Sequence, residues 1–145
     1  MVYSTSTISS EIGQSTTDRK NGVIYNHHEN INTIRKMIYS YEFKNFDKAY
    51  SYFDEKATFQ DINSLDINKE YTLTEMKAND KALIDNFDIE SIIQIDYPDY
   101  LNYELGDDGV VLSWWKFNFI RKSDKKAITV PIHFSHSFNK AGKII

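Results

Sequence analysis

The chain has 145 residues, of which 41% are hydrophobic and 26% charged, enough for one domain with a real core. Its 17 Lys and Arg against 21 Asp and Glu give a net charge of −4, which speaks against a nucleic-acid backbone or an anionic membrane surface as partner. It has no cysteine, so disulfides, a thiol nucleophile and a thiolate metal site are excluded, and no apolar run is long enough to span a bilayer.

Residues 1–22 are rich in Ser and Thr and show little apolar periodicity, so they read as a mobile tail ahead of a single domain over 23–145. They show no charged segment followed by an apolar run, so no signal peptide is evident and a cytoplasmic location is the default expectation. A spacer behind a leader would look the same, which leaves export open.

Asn26 and Glu29 have the spacing of a helix-capping pair. Ile31, Ile34, Ile38 and Tyr41 then form one helical stripe. Lys44-Asn45 breaks the pattern, and Phe46, Ala49, Tyr50 and Phe53 start a second short helix, giving a helix hairpin. Residues 57–62 read as a short strand with Ala57, Phe59 and Asp61 on one side. After a polar loop, Thr72 and Glu75 match a capping box. The third helix points Met76, Leu83, Ile84 and Phe87 at the core, with Asp80 at the edge of that stripe in water.

From Ile89 the period becomes two. Ile89, Ile93, Ile95 and Tyr97 are expected on one face, and Glu90, Gln94 and Asp96 on the other. Pro98-Asp99 is read as a turn, after which Leu101, Tyr103 and Leu105 alternate, and Gly106-Asp107-Asp108-Gly109 is a hairpin signal. A long strand over 110–121 carries Val111, Ser113, Trp115, Phe117 and Phe119 on one face, with Trp114, Lys116 and Asn118 on the other. The cluster at 122–126 turns the chain into a partner strand, residues 127–138, with Ile128, Val130, Ile132, Phe134, His136 and Phe138 on one face. Helices in the first half and antiparallel strands in the second define an α+β fold, with a twisted, curved sheet that can leave a hollow on its concave side.

The helix hairpin, then Ala57-Thr58-Phe59-Gln60-Asp61, then the ending from Val130 through Phe138-Asn139-Lys140-Ala141-Gly142-Lys143-Ile144, resembles the nuclear transport factor 2-like superfamily. That group includes the SnoaL-like polyketide cyclases and the ketosteroid isomerases, and the resemblance runs from about residue 26 onward. It implies a cone-like curved antiparallel sheet packed on three N-terminal-half helices, a ligand pocket inside, and frequent homodimers through the outer sheet face. The family's last strand follows the Gly-Lys turn, and here only Lys143-Ile144-Ile145 stands in its place. A truncated chain and a fold without that strand are both open readings.

Against the isomerase pattern, Asp61 falls at the position of the catalytic base. The isomerase's two oxyanion donors are not matched: the tyrosine's place falls at Met37, and the protonated aspartate's at Phe134, or at His133 if the strand bulges. The candidate catalytic residues are therefore Asp61, as a base, and His136, a polar interruption of an apolar strand face and an acid or hydrogen-bond donor. Tyr41, Tyr50, Phe59, Trp115, Phe117, His133 and Phe134 are the candidate pocket residues. His133 joins them only if a bulge at Pro131 turns it inward. Each has a plainer alternative: Asp61 as a loop cap, His136 as a core histidine, the aromatics as packing. Trp114, on the outer face, is a candidate interface residue.

His27 and His28 are adjacent and lack an i, i+4 ligand partner, and no glycine-rich phosphate loop, nucleophile elbow or zinc signature occurs, so neither a metal nor a cofactor is expected. Two functions stay open. One is a domain of bacterial type that binds a small lipophilic molecule, with or without cofactor-free isomerase- or lyase-like proton transfer. The other is a non-catalytic dimerisation or interaction module whose core is filled by its own aromatics.

Overall fold

The computed structural model describes residues 22–103 and 109–145. The elements run β1 (Gly22–Tyr25), α1 (Glu29–Glu42), α2 (Phe46–Tyr50), β2 (Thr58–Gln60), β3 (Glu70–Thr72), α3 (Leu73–Asn86), β4 (Phe87–Tyr103), β5 (Gly109–Arg121) and β6 (Ala127–Ser137). A curved antiparallel sheet in the order β1-β4-β5-β6 packs on the helices, and β2 and β3 form a separate two-stranded ribbon. This is the α+β arrangement that the segregated patterns predict.

Helix α1 starts two residues later than the Asn26–Glu29 pair implies. His28 is extended, and its Nδ1 accepts a hydrogen bond from the Asn30 amide at 3.1 Å, so the imidazole is the cap. The residues before it are spent on β1, which pairs Gly22 to Tyr25 with Tyr103 to Tyr100. Ile31, Ile34, Met37 and Ile38 are buried as the stripe on α1 requires. Lys44 at φ 60° ends the helix, and Asn45 caps α2 by accepting from the Lys48 amide. At α3 the box is complete: Thr72 Oγ1 accepts from the Glu75 amide, and Glu75 accepts from the Thr72 amide at 2.8 Å.

The largest departures from the sequence pattern lie in β4. The register slips between Ile89 and Ser91, so Glu90 is an extra residue on its strand. A one-residue bulge exchanges the two faces of everything beyond it. Ile92 thus turns into the core opposite Phe117, while Ile93 and Ile95, expected on the same face as Ile89, are 51% and 53% exposed. Two further shifts follow, between Gln94 and Asp96 and between Asp96 and Asp99, and the chain passes through Pro98 without reversing. Pro98 therefore marks a bulge inside one long strand instead of a turn between two, and its ring is buried. The hairpin signal at 106–109 falls largely on residues 104–108, outside the described residues, but Gly109 pairs with Asn102 as a β4–β5 hairpin requires.

Strands β5 and β6 follow their alternation without a slip. Val111, Ser113, Trp115, Phe117 and Phe119 are buried, and their partners on β6 are His136, Phe134, Ile132, Val130 and Ile128. Paired residues point to the same side of a sheet, so this is the inner face, turned to α1. Past β6, Asn139 accepts from the Ala141 and Lys143 amides, and Gly142 takes φ 73°. The turn delivers Ile144, which is buried, into bridges with Phe53 and Phe138.

Candidate functional site

The inner face of β4, β5 and β6 collects polar atoms with no partner. Among the described residues, five buried side-chain polar atoms lack a hydrogen bond: Gln94 Oε1, Ser113 Oγ, Trp115 Nε1, His136 Nδ1 and Arg35 Nε. The first four belong to one face. Gln94 pairs with Trp115 across β4 and β5, Ser113 is two residues along β5, and His136 sits opposite Val111. Ser113 and Trp115 have no exposed surface at all. Native interiors leave few polar groups unpaired, because each costs on the order of 1–3 kcal/mol.

His136 is half-buried as a residue, while its Nδ1 is cut off from solvent. Burial pushes its pKa down to about 4, so the ring is neutral at neutral pH. Its ring lies 5.2 Å from Phe134, which meets Phe117 edge-on at 6.2 Å. Phe117 in turn stacks near Phe119 at 6.0 Å. The inner face is therefore graded, polar around Ser113 and His136 and aromatic toward Phe117 and Phe119. Toward β6 it is incompletely covered, with Val130 37% exposed although it faces inward.

The other predicted residues do not all meet there. Asp61 is exposed at the end of β2, and its Oδ1 accepts from the Asn63 amide at 2.8 Å, as a loop cap does. It borders a cleft of about 210 Å³ with Phe59, Gln60, Tyr71, Met76 and Asn79. Phe59 packs on Phe53 with ring centres 5.3 Å apart. His133 is on the outer face: the register through Pro131 is unbroken, so no bulge turns it inward, and it stacks on Trp114 at 4.9 Å.

Tyr41 and Tyr50 meet a partner that the periodicity placed in water. Both phenols donate to Asp80 Oδ2, at 2.7 and 3.1 Å. Asp80 lies on the inward stripe of α3 with Leu73, Met76 and Ile84, while Leu83, expected on that stripe, is 37% exposed. Burial raises the Asp80 carboxyl above the usual range, against the pull of its two phenol bonds. Burial and the neighbouring carboxylate hold both phenols protonated, so they act as donors and not as bases. Tyr50 also borders a second cleft, of about 430 Å³, lined by Phe53, Leu73, Lys77 and Lys143 among others. The sequence signal that would have found Asp80 is its i+4 spacing from Met76 and to Ile84.

The described residues contain no group of three or more His, Asp or Glu able to hold a metal ion, and none of their helices is long and apolar enough to cross a membrane. No family model matches the chain, and no curated protein matches it. Among solved structures it is similar to one assigned as a SnoaL-like polyketide cyclase, from Mesorhizobium loti, with 11% identity and a TM-score of 0.49, over 78% of this chain and 91% of that one.

Proposed function

We propose that this chain is a SnoaL-like domain of the nuclear transport factor 2-like type that binds a small lipophilic molecule on its inner sheet face. The unpartnered Ser113 Oγ, Trp115 Nε1, His136 Nδ1 and Gln94 Oε1 carry this reading. A ligand with one oxygenated end would place that end among them and its apolar body on Phe117 and Phe134. Ser113 and the Trp115 indole offer donors, and neutral His136 offers an acceptor or a donor according to tautomer. If the domain catalyses, the chemistry is cofactor-free proton transfer at His136. Asp61, at the smaller cleft, would then serve a separate ligand contact and not pair with His136.

The test is a titration of Trp115 emission in a Trp114→Phe background with lipophilic ketones, phenols and steroid-like compounds. Binding should shift the emission, and Ser113→Ala and His136→Phe should weaken it by about tenfold, the effect of one buried hydrogen bond. Emission and melting temperature that stay unchanged across the panel, with both variants more stable than the wild type, would sink the reading.

A second reading has its own support on the outer face. Exposed Ile93 and Ile95 lie on that side of β4, near the Trp114–His133 stack, an apolar surface of the kind homodimers cover. In that reading Trp115, Phe117 and Phe119 simply fill the core. Sedimentation of wild type against Ile93→Lys distinguishes it: a dimer broken by the lysine supports it, and a wild-type monomer at high concentration removes it.

A further inference from the structure

The connection of α3 to the rest of the molecule is uneven. None of its residues is fully buried, although Leu73 and Met76 touch the core. At its C-terminal end it runs into β4 with no loop, and the Lys122 amide donates to Asn86 O at 2.9 Å. At its N-terminal end it follows directly from the β2–β3 ribbon, which shares no ladder with the main sheet. Between these ends, Asp80 is bound by Tyr41 of α1 and Tyr50 of α2. Both clefts use α3 as a wall, one through Leu73 and Lys77 and the other through Met76 and Asn79. They lie back to back, since Phe53 of the first packs on Phe59 of the second.

We infer that α3 with the β2–β3 ribbon is a hinged cover, fixed at Asn86–Phe87 and latched to the helix hairpin by Asp80 through Tyr41 and Tyr50, whose release joins the two clefts into one opening. A carboxyl held by two phenols is a suitable latch: it accepts both bonds in either protonation state, and release relieves the desolvation that the ionised form suffers when closed. Local opening of this kind selects elements with few buried contacts.

The latch has a pH sense. In the closed state Asp80 is harder to ionise than a solvated carboxyl, so proton uptake favours closure. Between the ordinary carboxylate range and the raised value, acid tightens the cover and base loosens it. The groups around the carboxyl are Tyr41 and Tyr50, with Asp47 acting on Tyr50 and the Lys77 ammonium 5.0 Å over the Tyr50 ring. Both phenols are raised, so they stay neutral across this window.

Amide hydrogen exchange of the full chain tests the proposal, with peptides from α3 compared with peptides from β5. In the wild type, α3 should exchange through an opening that leaves β5 protected. Corrected for intrinsic rates, its protection should fall as pH rises from 4 to 7. Asp80→Asn keeps an oxygen for both phenols and removes the charge, so its α3 protection should be flat over that range. Tyr41→Phe should lower α3 protection by about tenfold or more with β5 unchanged, the loss of one bond to a charged group. If α3 and β5 lose protection together in wild type and in Asp80→Asn, which preserves the packing, α3 has no motion of its own and the inference fails. It also fails if wild-type α3 shows no pH dependence that Asp80→Asn abolishes.

Discussion

The Tyr100 phenol occupies the space where Gly109 would carry a side chain: a Cβ built there would overlap the ring and its hydroxyl. Tyr100 also stacks flat on His28, with ring centres 3.7 Å apart, so the phenol cannot simply swing away from β5. Gly109 is needed for this close approach of a ring to a backbone, and not for an unusual dihedral. Gly109→Ala should cost about 1–3 kcal/mol in urea unfolding, as other overpacked sites do. Tyr100→Leu in the same chain should recover part of that loss, and a double-mutant cycle with no coupling would disprove the contact.

His136 predicts a definite acid response. Its folded pKa of about 4 lies below the 6.5 of a free imidazole, so the folded state binds fewer protons than the unfolded chain between those values. The stability it allows is fully present above pH 6.5 and is lost as pH falls toward 4, by about 3 kcal/mol at most. Asp80 works in the opposite sense over the acid range. Urea unfolding at pH 7 and pH 5 should therefore show a smaller acid loss for His136→Phe than for wild type. A larger loss in the variant would mean that the imidazole is not buried neutral.

The cap of α3 gives a smaller, cleaner effect. Thr72→Ala removes the oxygen that accepts from the Glu75 amide and should lower the melting temperature by about 2–4 °C. Thr72→Ser keeps that oxygen and should behave as wild type. Equal losses in both variants would assign the effect to the threonine methyl instead of the cap.

The slip at Glu90 can be tested by deletion. Removing Glu90 would take out the extra residue and leave Ile89 opposite Phe119, Ser91 opposite Asn118 and Ile92 opposite Phe117, so the variant can keep both its register with β5 and its core. A variant that stays folded is the expected result, and a collapse of the urea midpoint would disprove the slip, because deletion from a strand without one exchanges the faces of every later residue. A Glu90→Gly variant, which keeps the extra residue, should stay folded.

How far the residues announce the structure depends on how local the signal is. The stripe on α1, the Thr72–Glu75 box and the unbroken alternation of Val111 to Phe119 against Ile128 to His136 are short-range patterns, and each appears where it points. A bulge leaves no such pattern: Glu90 looks like any outward residue, yet it decides the side of Ile92. Pro98 looks like a turn because its lost donor suits one equally well. The candidate site was half legible. His136, Trp115, Phe117 and Phe134 share the inner face as alternation implies, while Gln94 joins them only because of the first bulge. Asp80 could not be read as a partner of Tyr41 and Tyr50, because 39 and 30 residues separate it from them and the phenols come from two different helices.

The bridge through Ile144 has a kinetic consequence. Its amide donates to Tyr52 O at 3.0 Å and its carbonyl accepts from the Asp54 amide at 2.7 Å, while Asn139 Nδ2 reaches Asp54 Oδ2 at 2.9 Å. This seam joins segments about 85 residues apart, as the Asn139–Asp54 bond records. A loop that long closes at a large entropic cost before any contact repays it. The helix hairpin and the β5–β6 hairpin can each form from neighbours in the chain, but the seam must wait until both are in place. It should therefore be absent from the folding transition state, so that Ile144→Ala speeds unfolding and leaves the refolding rate nearly untouched.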